Sequence, residues 1–244
     1  AQEAGETILA CEGIDVSRDD GGEALRKVDL RLRRGRITAI AGVDGNGQSE
    51  LVEAILGLRP LRSGRITATD RYRAALPDDR LRHALIADLS VRDNLLIRAG
   101  RQAPYRRALG WLDLEAWTRR ARDLVRAFDV RTPTVHLRAG QLSGGNQQKV
   151  VVARELAEPV DLVCAMNPTR GLDVAASRAV FDRLLQARNA GAAVLLVHSD
   201  LDEVLALADE VSVLFEGRLT PTAWPTCSRE EIGRKMLGLD GAAA

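Results

Sequence analysis

The sequence predicts an α/β fold organised around a parallel sheet, and two observations predict it. The apolar run Ile37 to Ala41 is typical of a buried strand, and a glycine-rich turn and an amphipathic helical pattern follow it directly. From Val160 onward, apolar strand patterns alternate with helical patterns as far as Phe215. Since parallel neighbours in a sheet need crossover connections, which are usually helices, this order predicts a parallel sheet.

Length and composition narrow the class of protein. A chain of 244 residues suits one large α/β domain, or a core with an inserted subdomain. An aromatic content of 3% and a net charge of +1 give no general attraction for polyanions, so no nucleic-acid partner is expected. No apolar run approaches the ~20 residues that span a bilayer, so membrane contact is expected only through partner proteins. Cys11, Cys164 and Cys227 lack the spacing of a metal site.

The residues up to position 35 read as an antiparallel strand region. Within it, Leu30 and Leu32 alternate with Arg31 and Arg33, which predicts a half-buried strand with a solvated basic face rather than a phosphate-binding patch. The polar opening AQEAGET has no initiator methionine. This start is consistent with a linker from a preceding domain, or with a trimmed stand-alone chain.

The turn AGVDGNGQSEL after the buried strand has the spacing of a phosphate-binding loop, G-x-x-x-x-G-K-[ST]. Glycines let the backbone N–H groups turn towards a polyphosphate, and the start of the following helix adds a positive end. Gln48 stands in the lysine position and offers no charge, while Ser49 keeps the hydroxyl position and is the candidate Mg²⁺ ligand. The candidate nucleotide-binding residues are Gly42, Gly45, Asn46, Gly47, Gln48, Ser49 and Glu50.

After Asp88 the pattern becomes helical. Apolar residues recur at helical spacing in residues 91–98 and 114–128, with a Gly- and Pro-containing stretch between them. We therefore expect a helical subdomain over about residues 88–140, inside a single domain of residues 1–244. Tyr105, Trp111 and Trp117 are expected in the core of this subdomain rather than in a patch facing a partner.

Residues 142–149 read LSGGNQQK, and this segment is an anion-site candidate. Ser143 is a candidate N-cap, and Gly144 and Gly145 expose backbone donors at the positive end of a helix. The segment, with its distance from the phosphate loop, resembles the signature of ABC transporter ATPase domains. The signature residues carried over from this resemblance are Leu142, Ser143, Gly144, Gly145, Asn146 and Gln147.

Other landmarks of that family follow in the expected order, and most are altered. Residues 160–173 resemble the Walker B strand and the D-loop, in which Asp173 matches, but Met166 and Asn167 occupy the two acidic positions. An amide cannot act as a general base, and a thioether cannot hold magnesium as a carboxylate does. Asp78 stands where the Q-loop has glutamine.

The switch position of the family is altered as well. Ser199 holds the place of its histidine, and His198 is displaced by one residue. A strand neighbour points the other way, so His198 is expected to be a strand-end histidine satisfied by hydrogen bonds. The segment between Val16 and Gly22 has no aromatic residue, where the family often stacks adenine.

The resemblance implies a P-loop NTPase (RecA-like) core with an inserted helical subdomain, ATP and Mg²⁺ as cofactors, and a peripheral position on the cytoplasmic face of the membrane. In this family two nucleotide-binding domains meet head to tail, and permease subunits cross the membrane. An intact signature beside an altered Walker A/B site indicates a domain that completes the ATP site of its partner. GNGQSELVEAI, LSGGNQQKV and PTRGLDV resemble the second, C-terminal half of double-domain ATPases serving simple-sugar and nucleoside importers, so the partner is expected in the preceding half of the same polypeptide.

Two alternatives stay open at this point. The first is an active ATPase that uses the substitutes Asp44, Glu50, Asp78 or His198. The second is a non-hydrolytic nucleotide sensor or scaffold without a transport role. The sequence therefore does not decide whether the isolated domain hydrolyses ATP. We expect the assembled complex to hydrolyse ATP.

Overall fold

The computed structural model describes residues 5–99 and 111–239, and the chain divides into two compact units. Within the described ranges, the first unit comprises the residues up to 75, residues 159–167 and the residues from 184 onward. The second unit comprises residues 76–158 and 168–183.

Strands form two sheets. Their bounds are β1 Thr7–Ser17, β2 Glu23–Arg33, β3 Ile37–Ala41, β4 Ser63–Ala68, β5 Arg73–Leu76, β6 Leu162–Met166, β7 Ala193–His198, β8 Glu210–Phe215 and β9 Arg218–Pro221. The smaller sheet has the order β2-β1-β4 and is antiparallel. The larger sheet has the order β5-β6-β7-β3-β8-β9, in which β6, β7, β3 and β8 pair in parallel and β9 pairs antiparallel to β8.

Helices connect the parallel strands and make up most of the second unit. Their bounds are α1 Gln48–Ile55, α2 Arg80–His83, α3 Val91–Leu96, α4 Leu114–Ala127, α5 Gly144–Leu156, α6 Val174–Asn189, α7 Leu201–Leu207 and α8 Arg229–Met236. None of the helices in the described part of the chain is both long and apolar enough to cross a membrane.

The parallel sheet and the N-terminal antiparallel region confirm the predicted α/β class. β3 is buried at all five positions, as expected for a strand with neighbours on both sides. The alternation in the basic run is confirmed, since Leu30 and Leu32 are buried and Arg31 is exposed. Cys164 is buried in β6, and burial raises the pKa of its thiol to about 12, which fits the expected small core residue.

The sequence did not predict β4 and β5. β4 is exposed at almost every position, so it carries no apolar pattern that would mark a strand. Its pairing with β1 brings Gly64 against the carbonyl oxygen of Gly13, where a Cβ on Gly64 would lie 2.4 Å from that oxygen. Long-range pairing rather than local pattern therefore creates this strand.

The helices predicted at residues 91–98 and 114–128 are present as α3 and α4, both in the second unit. The subdomain bounds 88–140 and the single-domain assignment stay predictions. Trp117 is 6% exposed and lies in the core as expected. The core placement of Trp111 is wrong, because that side chain is 75% exposed just before α4 begins. Tyr105 lies outside the described residues.

Candidate functional site

The phosphate loop lies between the buried end of β3 and the start of α1. Gly45 and Gly47 have φ angles of 91° and 109°, which only glycine adopts without strain. A Cβ on Gly42 would lie 2.6 Å from the carbonyl oxygen of Leu214 in β8. The glycines are therefore required by the turn and by the close approach of neighbouring backbone.

The Gln48 side chain forms two hydrogen bonds to the backbone of this loop. Its Nε2 donates to the carbonyl oxygen of Val43 at 2.8 Å, and its Oε1 accepts from the backbone N–H of Asn46 at 3.0 Å. The side chain is 6% exposed. A backbone donor at the tip of the loop is thus already bound to a side chain of the loop itself.

Asn46 fastens the same loop to the β8–β9 turn. Its Oδ1 accepts from the N–H of Glu216 at 2.8 Å, and its carbonyl oxygen accepts from the N–H of Gly217. Arg18 adds a contact to the carbonyl oxygen of Gly45 at 2.9 Å. The sequence offered no signal for these long-range contacts beyond the turn-forming glycines.

Met166 and Asn167, which the resemblance places at the two acidic positions, have different surroundings. The Ser49 hydroxyl lies 3.9 Å from the sulfur of Met166, so the candidate magnesium ligand contacts a thioether rather than a carboxylate. The Asn167 side chain is 5% exposed, and its Oδ1 accepts from the N–H of Ser199 at 3.0 Å and lies 3.4 Å from the Ser199 hydroxyl. Asn167 therefore ties the end of β6 to the end of β7.

His198 has both ring nitrogens engaged. Its Nδ1 accepts from the N–H of Asp200 at 3.0 Å, which leaves the proton on Nε2, 2.7 Å from the Glu203 carboxylate. Burial lowers the pKa of His198, and the nearby Glu203 and Asp200 carboxylates oppose that shift. The expected strand-end histidine satisfied by hydrogen bonds is confirmed.

The signature segment starts α5, a helix of 13 residues with Ser143 at the N-cap position. The Ser143 side chain makes no capping bond; instead its Oγ accepts from Asn146 Nδ2 at 2.9 Å, which leaves the hydroxyl proton available. In residues 5–99 and 111–239, the backbone N–H groups of Gly144 and Gly145 have no hydrogen-bond acceptor. The start of α5 thus presents free donors.

Burial and side-chain hydrogen bonds fix the other residues of the signature segment. Leu142 is buried, and Asn146 Oδ1 accepts from the N–H of Arg131 at 2.7 Å. Gln147 is 6% exposed and has its Nε2 at 3.4 Å from the carbonyl oxygen of Gly140. Gln148 Nε2 donates to the carbonyl oxygen of Pro168 at 2.9 Å.

A cleft of about 400 Å³ lies in the second unit beside Asp78. Its lining residues are Asp78, Asp79, Arg80, Leu81 and Arg170. Arg170 Nη1 lies 3.8 Å from Asp78 Oδ2, and Arg80 donates towards Gln147 Oε1 at 3.3 Å and the Arg170 carbonyl oxygen at 3.4 Å. Asp173 is exposed, and its Oδ1 accepts from the N–H of Ala176 at the start of α6.

The predicted site residues divide between the two units. The phosphate loop, Asn167 and Ser199 belong to the first unit, whereas Asp78, the signature and Asp173 belong to the second. Within the second unit, Arg80 connects three of the predicted segments, and sequence reasoning did not single it out. The signal was present in LPDDR, where Asp79 caps α2 and Arg80 begins it.

Comparison with known proteins gives one family and many relatives. The family model described as ABC transporter matches residues 25–170. The chain is 40% identical to the guanosine import ATP-binding protein NupO of Bacillus subtilis (strain 168), over 98% of this chain and 49% of that protein. It is 38% identical to the glucose import ATP-binding protein TsgD13 of Haloferax volcanii, over 98% of this chain and 46% of that protein.

Solved structures agree in fold. The cbiO1 structure from Clostridium perfringens, part of the ABC transporter complex cbiONQ, superposes with a TM-score of 0.73 at 22% identity and covers 95% of this chain and 93% of that one. The chain spans about half the length of the curated relatives it matches. These findings confirm the expected P-loop α/β fold of ATP-binding cassettes.

Proposed function

The chain belongs to the ABC transporter family as an ATP-binding domain, and from that premise we propose that its principal role is to complete the ATP site of a partner nucleotide-binding domain. Its signature segment donates to the phosphates held by the partner, while its own phosphate loop contributes little to hydrolysis. The transporter imports nucleosides or simple sugars.

One contrast supports this proposal. Among the residues that the structure describes, the N–H groups of Gly144 and Gly145 at the start of α5 have no acceptor, and Ser143 keeps a hydroxyl proton to donate. In the phosphate loop, by comparison, Gln48 already binds the N–H of Asn46. Free N–H groups at a helix start favour an anion, and a donor already engaged inside its own loop must first be released.

The residues around the chain's own loop fit ATP with Mg²⁺ poorly. If Mg²⁺ were bound here, Ser49 would be its ligand, and the ion would supply positive charge against the phosphates. Here Ser49 contacts a thioether, Asn167 is committed to Ser199, and Gln48 brings no positive charge. His198, a proposed substitute, has both ring nitrogens engaged. We therefore propose that this loop does not hydrolyse ATP.

The relatives support the proposed partners and cargo. A chain that spans about half of NupO and TsgD13 fits one half of a double-domain ATPase, and this fit supports our proposal that the partner domain is the preceding half of the same polypeptide. The imported solutes named for those relatives are guanosine and glucose. Permease subunits carry the solute, the Asp78 region contacts them, and the protein lies peripherally on the cytoplasmic face of the membrane.

The test is ATP hydrolysis by the assembled transporter carrying Ser143→Arg. A guanidinium at the start of α5 would fill the space needed by the partner's phosphates, so turnover should fall by at least about a hundredfold. Ala190→Arg adds the same charge at an exposed position at the end of α6 and should leave turnover unchanged.

Two other outcomes would overturn the proposal. Robust turnover by the chain without its partner domain would support an active ATPase that uses substitute residues. Assembly with the partner and permease without any turnover, in both the parent protein and the variant, would support a scaffold.

A further inference from the structure

The serine at the start of α5 is held by the side chain three residues later. Asn146 Nδ2 donates to Ser143 Oγ at 2.9 Å, and Asn146 Oδ1 accepts from the backbone N–H of Arg131 at 2.7 Å. A backbone N–H can only donate, so the amide oxygen must face Arg131 and the amide nitrogen must face Ser143. The backbone therefore fixes the orientation of the Asn146 amide, and this amide makes Ser143 Oγ an acceptor.

This orientation decides what the Ser143 hydroxyl can do. A contact with an amide N–H uses a lone pair of the hydroxyl oxygen and leaves the hydroxyl proton. In the part of the chain that the structure describes, no acceptor takes that proton, and the side chain is exposed. Ser143 also makes no capping bond to the backbone of its own helix. The Ser143 hydroxyl and the N–H groups of Gly144 and Gly145 thus offer protons at one helix start.

The start of α3 shows the opposite arrangement at the same spacing. Ser90 is the N-cap of that helix, and Asp93 stands three residues later. Asp93 Oδ2 accepts the Ser90 hydroxyl proton, with 2.6 Å between the oxygens, and Ser90 Oγ accepts from the N–H of Asp93 at 3.1 Å. A carboxylate at this position therefore takes the serine proton, whereas the amide of Asn146 leaves the Ser143 proton for a ligand.

The donor that orients Asn146 is itself fastened to α5. Lys149, three residues after Asn146 and so on the same face of the helix, donates to the carbonyl oxygen and to Oδ2 of Asp129, at 2.8 and 2.6 Å. Val130, between Asp129 and Arg131, is 5% exposed, and its N–H donates to a carbonyl oxygen of α4. This segment is therefore held by two helices, which keeps the Arg131 N–H directed at Asn146.

We propose that Asn146 is a positioning residue that sets the direction of the Ser143 hydroxyl, so that the signature takes a group that only accepts, namely an ionised phosphate oxygen of the partner's nucleotide. This inference rests on the proposed function, because it assumes that the signature acts on the partner's phosphates. Asn146 makes Ser143 a donor, and a carboxylate in its place would turn that donor away from the ligand.

Asn146→Asp tests the direction of the hydroxyl, because the two side chains have nearly the same shape. The carboxylate would accept from the Arg131 N–H and would also take the Ser143 proton, as the carboxylate does at the start of α3. In the double-domain ATPase assembled with its permease in membrane vesicles, we expect kcat for ATP to fall about a hundredfold, the effect of losing one donor to a transition-state oxyanion. The KM for ATP should stay within about threefold, because the partner's own loop holds the nucleotide.

Asn146→Ala removes the amide without adding an acceptor. The Ser143 hydroxyl then keeps its proton but loses its orientation, so kcat should fall only about fivefold, the effect of one neutral hydrogen bond. Asn189→Asp makes the same chemical change as Asn146→Asp at an exposed position at the end of α6, and it should match the parent.

A double-mutant cycle separates the direction of the hydroxyl from the added charge and from damage to the fold. On a Ser143→Ala background there is no hydroxyl to orient, so Asn146→Ala should lower kcat no further. Asn146→Asp should cost at most about tenfold there, from repulsion between the carboxylate and the phosphates alone. The proposal is overturned if Asn146→Asp and Asn146→Ala have equal effects, if either costs the same with and without the Ser143 hydroxyl, or if Asn189→Asp matches Asn146→Asp.

The positioning role can fail while the proposed function stands. Loss of turnover with Ser143→Arg together with parental turnover in both Asn146 variants would overturn only the positioning role. Full turnover with Ser143→Arg would overturn the signature-donor role on which the positioning role rests.

Discussion

At the scale of single residues, replacements at the phosphate loop change both charge and hydrogen bonding. Gln48 removes the positive charge of the usual lysine and also occupies the Asn46 N–H and the Val43 carbonyl oxygen. Met166 and Asn167 lie where the resemblance expects two carboxylates, and each of them contacts a neighbouring serine. Reversal of one replacement should therefore restore charge or hydrogen bonding at one position, but it should not restore ATP hydrolysis.

Gln48→Lys should raise the affinity of the chain's own loop for ATP about tenfold, since the ammonium adds a charge-assisted bond to phosphate and Asn46 N–H becomes free. Titration with a fluorescent ATP analogue, with the signature disabled by Ser143→Arg, measures this binding. Gln48→Ala frees the same N–H without adding charge and separates the two effects. An affinity for ATP that is the same in all three proteins would contradict our account of the loop.

The buried imidazole predicts a pH dependence of stability. In the unfolded chain His198 titrates near its usual pKa of about 6.5, whereas burial lowers its pKa in the fold, so unfolding takes up a proton. The stability from this group is complete above about pH 6.5 and is lost as the pH falls towards the lower, folded pKa.

Urea unfolding between pH 7.5 and 5 should therefore show a loss of stability that His198→Asn reduces. The carboxylates facing the ring, Glu203 and Asp200, stay in place in that variant. His83→Asn, at an exposed position, should keep the full pH dependence. An identical pH slope in the parent and in His198→Asn would contradict the assignment.

At the scale of elements, the short helix α3 in the second unit depends on side-chain hydrogen bonds as well as on apolar packing. Asn94 in α3 is 0% exposed, and its amide group binds both the N–H and the carbonyl oxygen of Ile86 at 2.8 and 2.9 Å. It also donates to the carbonyl oxygens of Leu89 and Ser90. One side chain thus satisfies the backbone of the turn that leads into α3.

Asn94→Ala should destabilise the protein by about 3 kcal/mol, because the N–H and carbonyl oxygen of Ile86 would lose the partner that the buried Asn94 side chain provides. Urea unfolding measures the free energy of unfolding. Asn189→Ala, at an exposed position at the end of α6, should change it by less than about 0.5 kcal/mol. Equal effects of the two substitutions would show that the Asn94 contacts do not hold the turn.

At the scale of the whole molecule, one exposed apolar side chain bears on the proposed pairing of domains. Val174 is 87% exposed and directly follows Asp173. Apolar side chains exposed singly are common on protein surfaces, so the position beside the D-loop residue is what gives this one its interest. Burial of a valine on association would contribute about 1.5–3 kcal/mol.

Val174→Lys should weaken the ATP-dependent association of the chain with its partner domain at least about tenfold, because an ammonium would have to be desolvated in the interface. Sedimentation of the two domains expressed separately, with ATP and Mg²⁺, measures the association. Leu58 is another exposed apolar residue, 75% exposed, and it belongs to the first unit. Leu58→Lys should leave the association of the two domains unaltered. Equal association in both variants would place the interface elsewhere.

The sequence by itself determined the fold class and the order of the motifs. Apolar periodicity identified β3, β7, α3 and α4, and glycine spacing located the phosphate loop, because these features depend on residues close together in the chain. The signature was located by the resemblance of LSGGNQQK to that of a known family. The altered positions Gln48, Met166, Asn167 and Ser199 were equally readable, since each is defined by its place in a short motif.

Only the tertiary structure decided what those residues do to one another. The Gln48 side chain bonds within its own loop because the loop backbone turns around it. Ser49 contacts Met166 because α1 and β6 lie side by side. Arg80 reaches Gln147, 67 positions along the chain, through the space left by Gly144. The Ser49–Met166 and Arg80–Gln147 contacts join residues distant in sequence, and no local periodicity encodes them because packing alone brings the two partners together.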